Sequence, residues 1–511
     1  MEEDDKREEA ESPSEEEPEP EQAPASEHKP EEELPPETEV GTGDEAEVEA
    51  EEVPEVEPLI KMEEEHEPEP EPEEEEEEEE HEEIRFDCVV VGGGLAGLTA
   101  AYHLAKAGIE VVVIERGDIP GTKNVMGGVI YEKPLREALG NIIDDAPLER
   151  KVIEQRLWVL TEDGGITVGY RNRQFDEEAN AHTVLRVKFD AWLAEVVEDA
   201  GAMLVPETVV EELIIKDDRV VGVRTGREEG DIYADCVIVA DGCHSLLALK
   251  HGFRKEYEPS QLALAVKEIH AVDRDIINNR FGIDDEQGVT IEIVGSITHG
   301  VLGTGFIYTN NDTISIGLGC LLSGFVEKDL NPSELLENMK AHPLVAPLIE
   351  GSEMKEYMAH CIPEGGYFGI PRIYGNGVMF AGDSVQFVNG IHREGSNMAM
   401  LSGRTAAKVY LKAKEVDDFS AERLKLYEVL LRKTYIYKDL HKYRNLAGFI
   451  EKNTHLLTQY PELADWAFRE WLTVDGVPKR EKQKTIISRA MKDVGIWKAI
   501  KDAWGFWRNF R

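Results

Sequence analysis

The chain has 511 residues with 105 acidic and 55 basic side chains, but residues 1–83 hold 42 Asp or Glu against 4 Lys or Arg, which leaves residues 84–511 with a net charge of only −12. An acidic surface of this kind lacks the basic footprint that binding to nucleic acid requires, so no nucleic-acid partner is expected. No stretch approaches about 18 apolar residues, which excludes a spanning helix and leaves attachment to a membrane surface open.

From the N-terminus, residues 1–83 are built from Glu, Pro and Ala with almost no aromatic or branched apolar side chains. Such a composition cannot bury enough surface to offset its ordering entropy, and a disordered acidic tail is expected. The segment has neither the basic-then-apolar pattern of a secretory signal nor the Arg-rich pattern of a mitochondrial presequence, so a cytoplasmic location is expected. Roughly 430 foldable residues remain, enough for two or three domains.

Order begins near Phe86. Phe86-Asp87-Cys88-Val89-Val90-Val91 has the β-branched, apolar character of a strand covered on both faces. It runs into Gly92-Gly93-Gly94-Leu95-Ala96-Gly97, then a helical stretch to Ala107 stopped by Gly108, then the strand Val111 to Ile114 ending in Glu115. Strand, GxGxxG turn, helix, strand and acid together form a dinucleotide fingerprint. Gly92 permits the tight turn, Gly94 lets the backbone approach a pyrophosphate, Gly97 allows close packing of helix on strand, and Glu115 can accept from ribose hydroxyls. FAD and NAD both fit. Two further strand patterns end in small residues and a carboxylate: Ala234 to Asp241-Gly242, and Gly377 to Gly382-Asp383. Each brings an acid to the carboxyl edge of a strand, where open α/β sheets bind ligands. Between them, Val289–Val294, Gly305–Tyr308 and Thr313–Gly317 read as strands of a β-rich second wall.

This order resembles the FAD-binding fold of the flavin hydroxylase and geranylgeranyl reductase superfamily. Lys123 to Tyr131, Ala265-Val266-Lys267-Glu268, Gly305 to Asn310 and Gly390-Ile391-His392-Arg393-Glu394-Gly395 are similar, within it, to FixC-type electron transfer flavoprotein:quinone oxidoreductases. The resemblance implies an α/β fold with a Rossmann-like FAD domain in two parts, 84–260 and 370–412, a β-rich domain at 261–369 on the substrate or quinone side, and a helical C-terminal region at 413–511.

It also implies residue roles. Gly92, Gly94, Leu95, Ala96 and Gly97 receive the pyrophosphate, and Glu115, followed by Arg116, binds the adenosine end. Met126, Gly127 and Gly128 pass near the isoalloxazine face, while Arg186, Asp241, Gly242, Gly382 and Asp383 contact FAD, Asp383 at the ribityl chain. Gly395, Asn397 and Met398 open a helix whose N-terminus would face the pyrimidine ring and stabilise negative charge there. His392 and Arg393 are acid–base candidates for which a structural hydrogen bond is the simpler reading. No catalytic acid or base is assigned, and no metal site is expected.

The implied partners are the electron transfer flavoprotein subunits, a quinone and a membrane surface on the cytoplasmic side. Larger relatives carry a cysteine-ligated cluster near the C-terminus. Here Cys88, Cys236, Cys243, Cys320 and Cys361 never form a CxxC pair and none follows Cys361, so a separate ferredoxin-like iron–sulfur subunit is implied. One rival is a flavin reductase or hydroxylase acting directly on a lipid, aromatic or prenyl substrate; a Tyr-x-Trp-x-Phe-Pro signature of prenyl reduction is missing, since Gly303 to Tyr308 stands there. The other is a flavin-bound scaffold.

Residues 421–511 invert the charge balance, with 19 Lys or Arg against 11 Asp or Glu. Trp497, Ile500, Trp504 and Trp507 share one helical face, with Lys498, Lys501, Arg508 and Arg511 nearby. That pattern suits a headgroup boundary. Packing of the tryptophans on the protein's own core or on a partner subunit remains the alternative, and Gly505 weakens the helix.

Overall fold

The computed structural model describes residues 83–122 and 127–510. The expectation for the acidic tail and that for Met126 fall outside the described residues.

Ile84–Val91 lies at the centre of a sheet of eight strands among the described residues. Asp231–Val239 pairs with it in parallel on one side, Cys88 opposite Cys236 and Val91 opposite Val239. Val111–Ile114 pairs in parallel on the other, Val91 opposite Ile114. Val378–Phe380 and Met203–Val205 extend the parallel array outward, and an antiparallel hairpin, Val210–Lys216 with Arg219–Thr225, joins it through Asp231–Val239. Cys88 to Val91 and Val111 to Ile114 are all buried, as a parallel sheet covered on both faces demands. Leu95–Lys106 is part of that cover, and it packs between Ser396–Lys414 and Arg186–Asp199. Its approach to Ser396–Lys414 depends on Gly403, where a Cβ would stand 2.0 Å from the Ala96 carbonyl oxygen.

The second sheet has nine strands among the described residues, in the order Glu353–Pro363, Leu262–Ala271, Thr313–Leu321, Gly303–Thr309, Gln287–Gly295, Lys151–Leu160, Ala181–Leu185 and Gly127–Tyr131, with Gly165–Arg171 paired to Lys151–Leu160. The three stretches read as strands, Val289–Val294, Gly305–Tyr308 and Thr313–Gly317, are strands. Four members come from residues 127–185, inside the stretch that also builds the first sheet, so a linear division of the chain does not express this wall. Arg150 pins the join: it is fully buried and its guanidinium donates to the carbonyls of Asn310, Asp284, Gln287 and Asn311 and to Asn278 Oδ1.

Alternation divides the second sheet's faces. Val266, Ile291, Ile293, Ile307, Ile316 and Leu318 pack with Leu335, Leu336 and Met339 of the helix Pro332–Ala341. The opposite face carries Ala263, Ala265, Lys267, Phe306, Tyr308 and Gly319 to a cavity shared with the first sheet.

Beyond Lys414 the described chain is helical. The last helix, Ile496–Phe510, docks through its narrow side: Gly505 lies against the Phe449 ring, and Asp502 accepts from Tyr460 at 2.9 Å and pairs with His455 at 2.8 Å. Trp497 is 81% exposed, and Ile500, Trp504 and Trp507 are more than half exposed. Among the described residues, the tryptophan face is therefore left outward rather than spent on the core.

Candidate functional site

The cavity between the sheets has a volume of about 470 Å³, in the range of small-molecule sites. Its first end is the glycine turn. Gly92 has φ +101°, and a Cβ there would meet the Ala240 carbonyl oxygen at 2.3 Å; a Cβ at Gly97 would stand 2.0 Å from the Gly92 carbonyl oxygen. Both positions require glycine. Gly94 differs, because a Cβ there would meet nothing within 4 Å. Its bareness opens the helix N-terminus at Leu95 and Ala96 to the cavity, where unpaired N–H groups and the helix dipole favour an anion. Glu115 braces the turn: Oε2 accepts from Gly93 N–H at 2.6 Å and Oε1 from Gly117 N–H at 2.7 Å. Arg116 lines the cavity beside it.

The carboxyl ends of two central strands meet in the middle. Ser384 Oγ donates to Asp241 Oδ1 at 2.7 Å and accepts from Gly242 N–H at 3.1 Å, while Asp241 Oδ2 accepts from Leu247 N–H. Burial pushes the Asp241 carboxyl above the usual range against these hydrogen bonds. Burial likewise raises the Asp383 carboxyl, opposed by the positive charges of Arg186 and Lys267. Arg186 opens the helix Arg186–Asp199, grips Asp190 through Nε at 2.7 Å and Nη2 at 2.6 Å, and reaches Ser396 Oγ at 3.4 Å. It is thus held across the cavity from the strand ends.

The far wall is the second sheet. Gly127 and Gly128 edge it, and a Cβ at Gly127 would collide with Ser315 Oγ. Lys267, His360, Glu364, Phe306 and Tyr308 line this part. Burial lowers Lys267 to about 7 and His360 to about 4, and raises Glu364 to about 7. Arg393 sits with φ +52°, pairs with Glu292 and donates to Tyr308 Oη at 3.3 Å. His392 turns away, its ring meeting Tyr443 Oη at 3.0 Å.

Of the residues nominated from sequence, Gly92, Gly94, Leu95, Ala96, Glu115, Arg116, Gly127, Gly128, Arg186, Asp241, Gly242, Asp383 and Gly395 line the cavity. Gly97, Gly382, Asn397 and Met398 stand behind that lining. Met398 is fully buried in the first core, and Asn397 gives its amide to Tyr131 of the edge strand. Lys267, His360, Glu364 and Ser384 were not nominated. For Lys267 a signal existed: a lysine at an inward position of the alternating strand Leu262–Ala271.

A dinucleotide flavin fits these features. The open glycine N-terminus suits a diphosphate, and the glycine and aromatic wall leaves room for a flat ring.

Residues 87–188 match the FAD dependent oxidoreductase family, and residues 446–511 match the ETF-QO/FixC family C-terminal domain. Protein FixC of Azotobacter vinelandii is 45% identical over 426 residues, covering 83% of this chain and 99% of that protein. A probable electron transfer flavoprotein-quinone oxidoreductase of Escherichia coli is 37% identical over 82% of this chain and 97% of its own. Among solved structures, a geranylgeranyl bacteriochlorophyll reductase-like protein of Thermoplasma acidophilum superposes with a TM-score of 0.62 at 20% identity, over 81% of this chain and 97% of that one, and shares the fold.

Proposed function

The chain belongs to the FixC family of FAD-dependent oxidoreductases, and on that premise we propose that it receives electrons from an electron transfer flavoprotein and delivers them to a quinone at a membrane surface. FAD supplies the two-electron chemistry when bound. The observation that carries the proposal is the pairing of a flavin-sized cavity with a C-terminal region, 446–511, of the kind found in flavoprotein:quinone oxidoreductases.

In this reading the Gly92–Gly97 turn binds the diphosphate, Glu115 and Arg116 the adenosine end, and Arg186 and Asp383 the middle of the cofactor. Gly127, Gly128 and the Gly395–Ser396 helix start enclose the ring. The helix Ile496–Phe510 lays its tryptophan face on the lipid headgroups, with Lys498, Lys501 and Arg508 beside it, and so brings the cavity to a lipid-soluble acceptor. No helix among the described residues is long and apolar enough to cross a membrane. Electrons reaching an iron–sulfur cluster would need a separate ferredoxin-like subunit, because no cysteine follows Cys361.

The test uses purified holoprotein under anaerobic conditions. Bleaching of the flavin by a reduced electron transfer flavoprotein, followed by reoxidation with a soluble quinone, is the expected result. Rapid bleaching by NADPH alone would overturn the proposal in favour of direct action on an organic substrate.

A further inference from the structure

Lys267 is the most unusual charge-bearing side chain in the cavity. It lies near the middle of the strand Leu262–Ala271, in register with Gly317 on one side and Met358 on the other. Only 3% of it is exposed, and its Nζ has no hydrogen-bond partner among the described residues. Its neighbours Ala263 and Ala265 share its face and line the cavity with it. Gly317 offers no side chain beside it, and the Phe306 ring covers that gap, since a Cβ at Gly317 would meet Phe306 Cζ at 2.5 Å. The stem is therefore boxed in by apolar surface at the cavity wall, and the charge of the amine acts on Asp383 and Arg186, which line the same cavity.

A buried amine without an acceptor is costly, and a methionine of similar length would fill the strand position without that penalty. The charged groups that face Lys267 do not remove the cost. Arg186, from its helix, repels a positive charge and spends its own guanidinium on Asp190. Asp383, from the end of the strand Val378–Phe380, attracts one, and His360 on the adjoining strand stays neutral near pH 7 because burial lowers it to about 4. Arg393 and Tyr308 occupy the same wall but engage Glu292 and each other. No described side chain or carbonyl supplies the missing acceptor.

We propose that Lys267 is a redox-coupled proton site: it faces the oxidised cofactor as the neutral amine and becomes the ammonium partner of the negative charge that appears when FAD is reduced. The balance is two electrons from the donor and two protons from solvent, one taken up by the flavin ring and one by Lys267 Nζ. Burial, which lowers this amine to about 7, keeps it poised between the two forms. The proposal rests on FAD occupying this cavity and not on the identity of donor or acceptor.

The test is equilibrium reduction of the holoprotein with dithionite against redox dyes, across a pH series above about 7. Two protons per two electrons make the reduction equilibrium constant fall a hundredfold per pH unit, about 59 mV; one proton makes it fall tenfold, about 30 mV. Wild-type protein is expected to follow the steeper line and Lys267→Met the shallower one, with a lower potential near pH 7. Lys267→Arg keeps a permanent charge, so it is expected to restore the potential but not the steep slope, a separation that loss of packing would not produce. FAD content per chain is measured alongside. A tenfold slope in the wild type, or a hundredfold slope retained in Lys267→Met or Lys267→Arg with FAD bound, would overturn the proposal. If Lys267→Met does not fold, Lys267→Arg decides by itself. Wild-type protein that binds no FAD would instead overturn the flavin site.

Discussion

Asn397 and Tyr131, 266 residues apart, are joined by a reciprocal pair of hydrogen bonds: Asn397 Oδ1 accepts from Tyr131 N–H, and Asn397 Nδ2 donates to the Tyr131 carbonyl, both at 3.0 Å. The side chain acts as a short piece of strand. It binds the first turn of the helix Ser396–Lys414 to the edge strand Gly127–Tyr131, fixing the two segments proposed to enclose the flavin ring. Asn397→Ala is expected to lower stability by about 1–3 kcal/mol, the cost of leaving paired buried groups unsatisfied. Asn397→Asp keeps the acceptor but sets a second oxygen against the Tyr131 carbonyl, so it should lose more than Asn397→Ala. Urea denaturation of the two variants measures both.

Glu115→Arg replaces the carboxylate that accepts from Gly93 and Gly117, and Asp383→Ala removes the acid facing Arg186 and Lys267. Each is expected to lower flavin content of the purified protein. Full retention of the yellow colour in both would remove these residues from the cofactor site.

Gly403→Ala tests the helix crossing behind the glycine turn. Its methyl would stand 2.0 Å from the Ala96 carbonyl oxygen, so the two helices must part. Overpacking of this kind costs about 1–3 kcal/mol, and the displaced turn should release FAD more readily. A thermal melt and a flavin-release rate report the two effects separately.

Glu364 gives a pH signature. Burial raises its folded value from 4.5 to about 7, so the folded state holds the proton more tightly than the unfolded chain. Its contribution is fully present below pH 4.5 and is lost as pH rises to about 7. Glu364→Gln cannot ionise. It is expected to gain on the wild type across that window, by up to about 3 kcal/mol, and to run parallel to it above. A constant difference at all pH values would show that Glu364 is not buried as the acid.

Deleting Ile496 to Arg511, or replacing Trp497, Trp504 and Trp507 with Ser, should weaken binding to anionic liposomes and slow quinone turnover while reduction by the partner flavoprotein persists. Added salt should weaken the wild type's binding only in part, because screening acts on the lysines and not on the rings. Unchanged liposome binding would overturn the membrane role of the tryptophan face.

Legibility in the sequence followed sequence distance. The turn from Gly92 to Gly97 could be read because its chemistry is local: one loop makes the bend, the helix start and the close packing. Val289–Val294, Gly305–Tyr308 and Thr313–Gly317 could be read as strands from their local composition, and each lies inside a longer strand. Asn397 looked like a cofactor contact because helix starts bind ligands, and nothing nearby in sequence indicates Tyr131 as its partner. The placement of Gly127–Tyr131 and Lys151–Leu160 in the second sheet depends on pairing with strands far away in the chain, such as Lys151 with Gln287, which no local pattern encodes. Lys267 stands in the segment Ala265-Val266-Lys267-Glu268, but its isolation becomes visible only when its neighbours on adjacent strands are known.

The cavity lining starts at Val91 and is not complete before Ala399. At about 5–20 residues per second, a ribosome needs roughly 15–60 s to travel between those two points. Until Glu353–Pro363 has been made the emerging chain has a glycine turn but an incomplete opposite wall, and its central strands wait first for Asp231–Val239 and then for Val378–Phe380 with open edges. Completion of the cofactor cavity is thus a late event in biogenesis, because a nascent fragment released before Ser396–Lys414 is made still lacks the helix start that closes the lining.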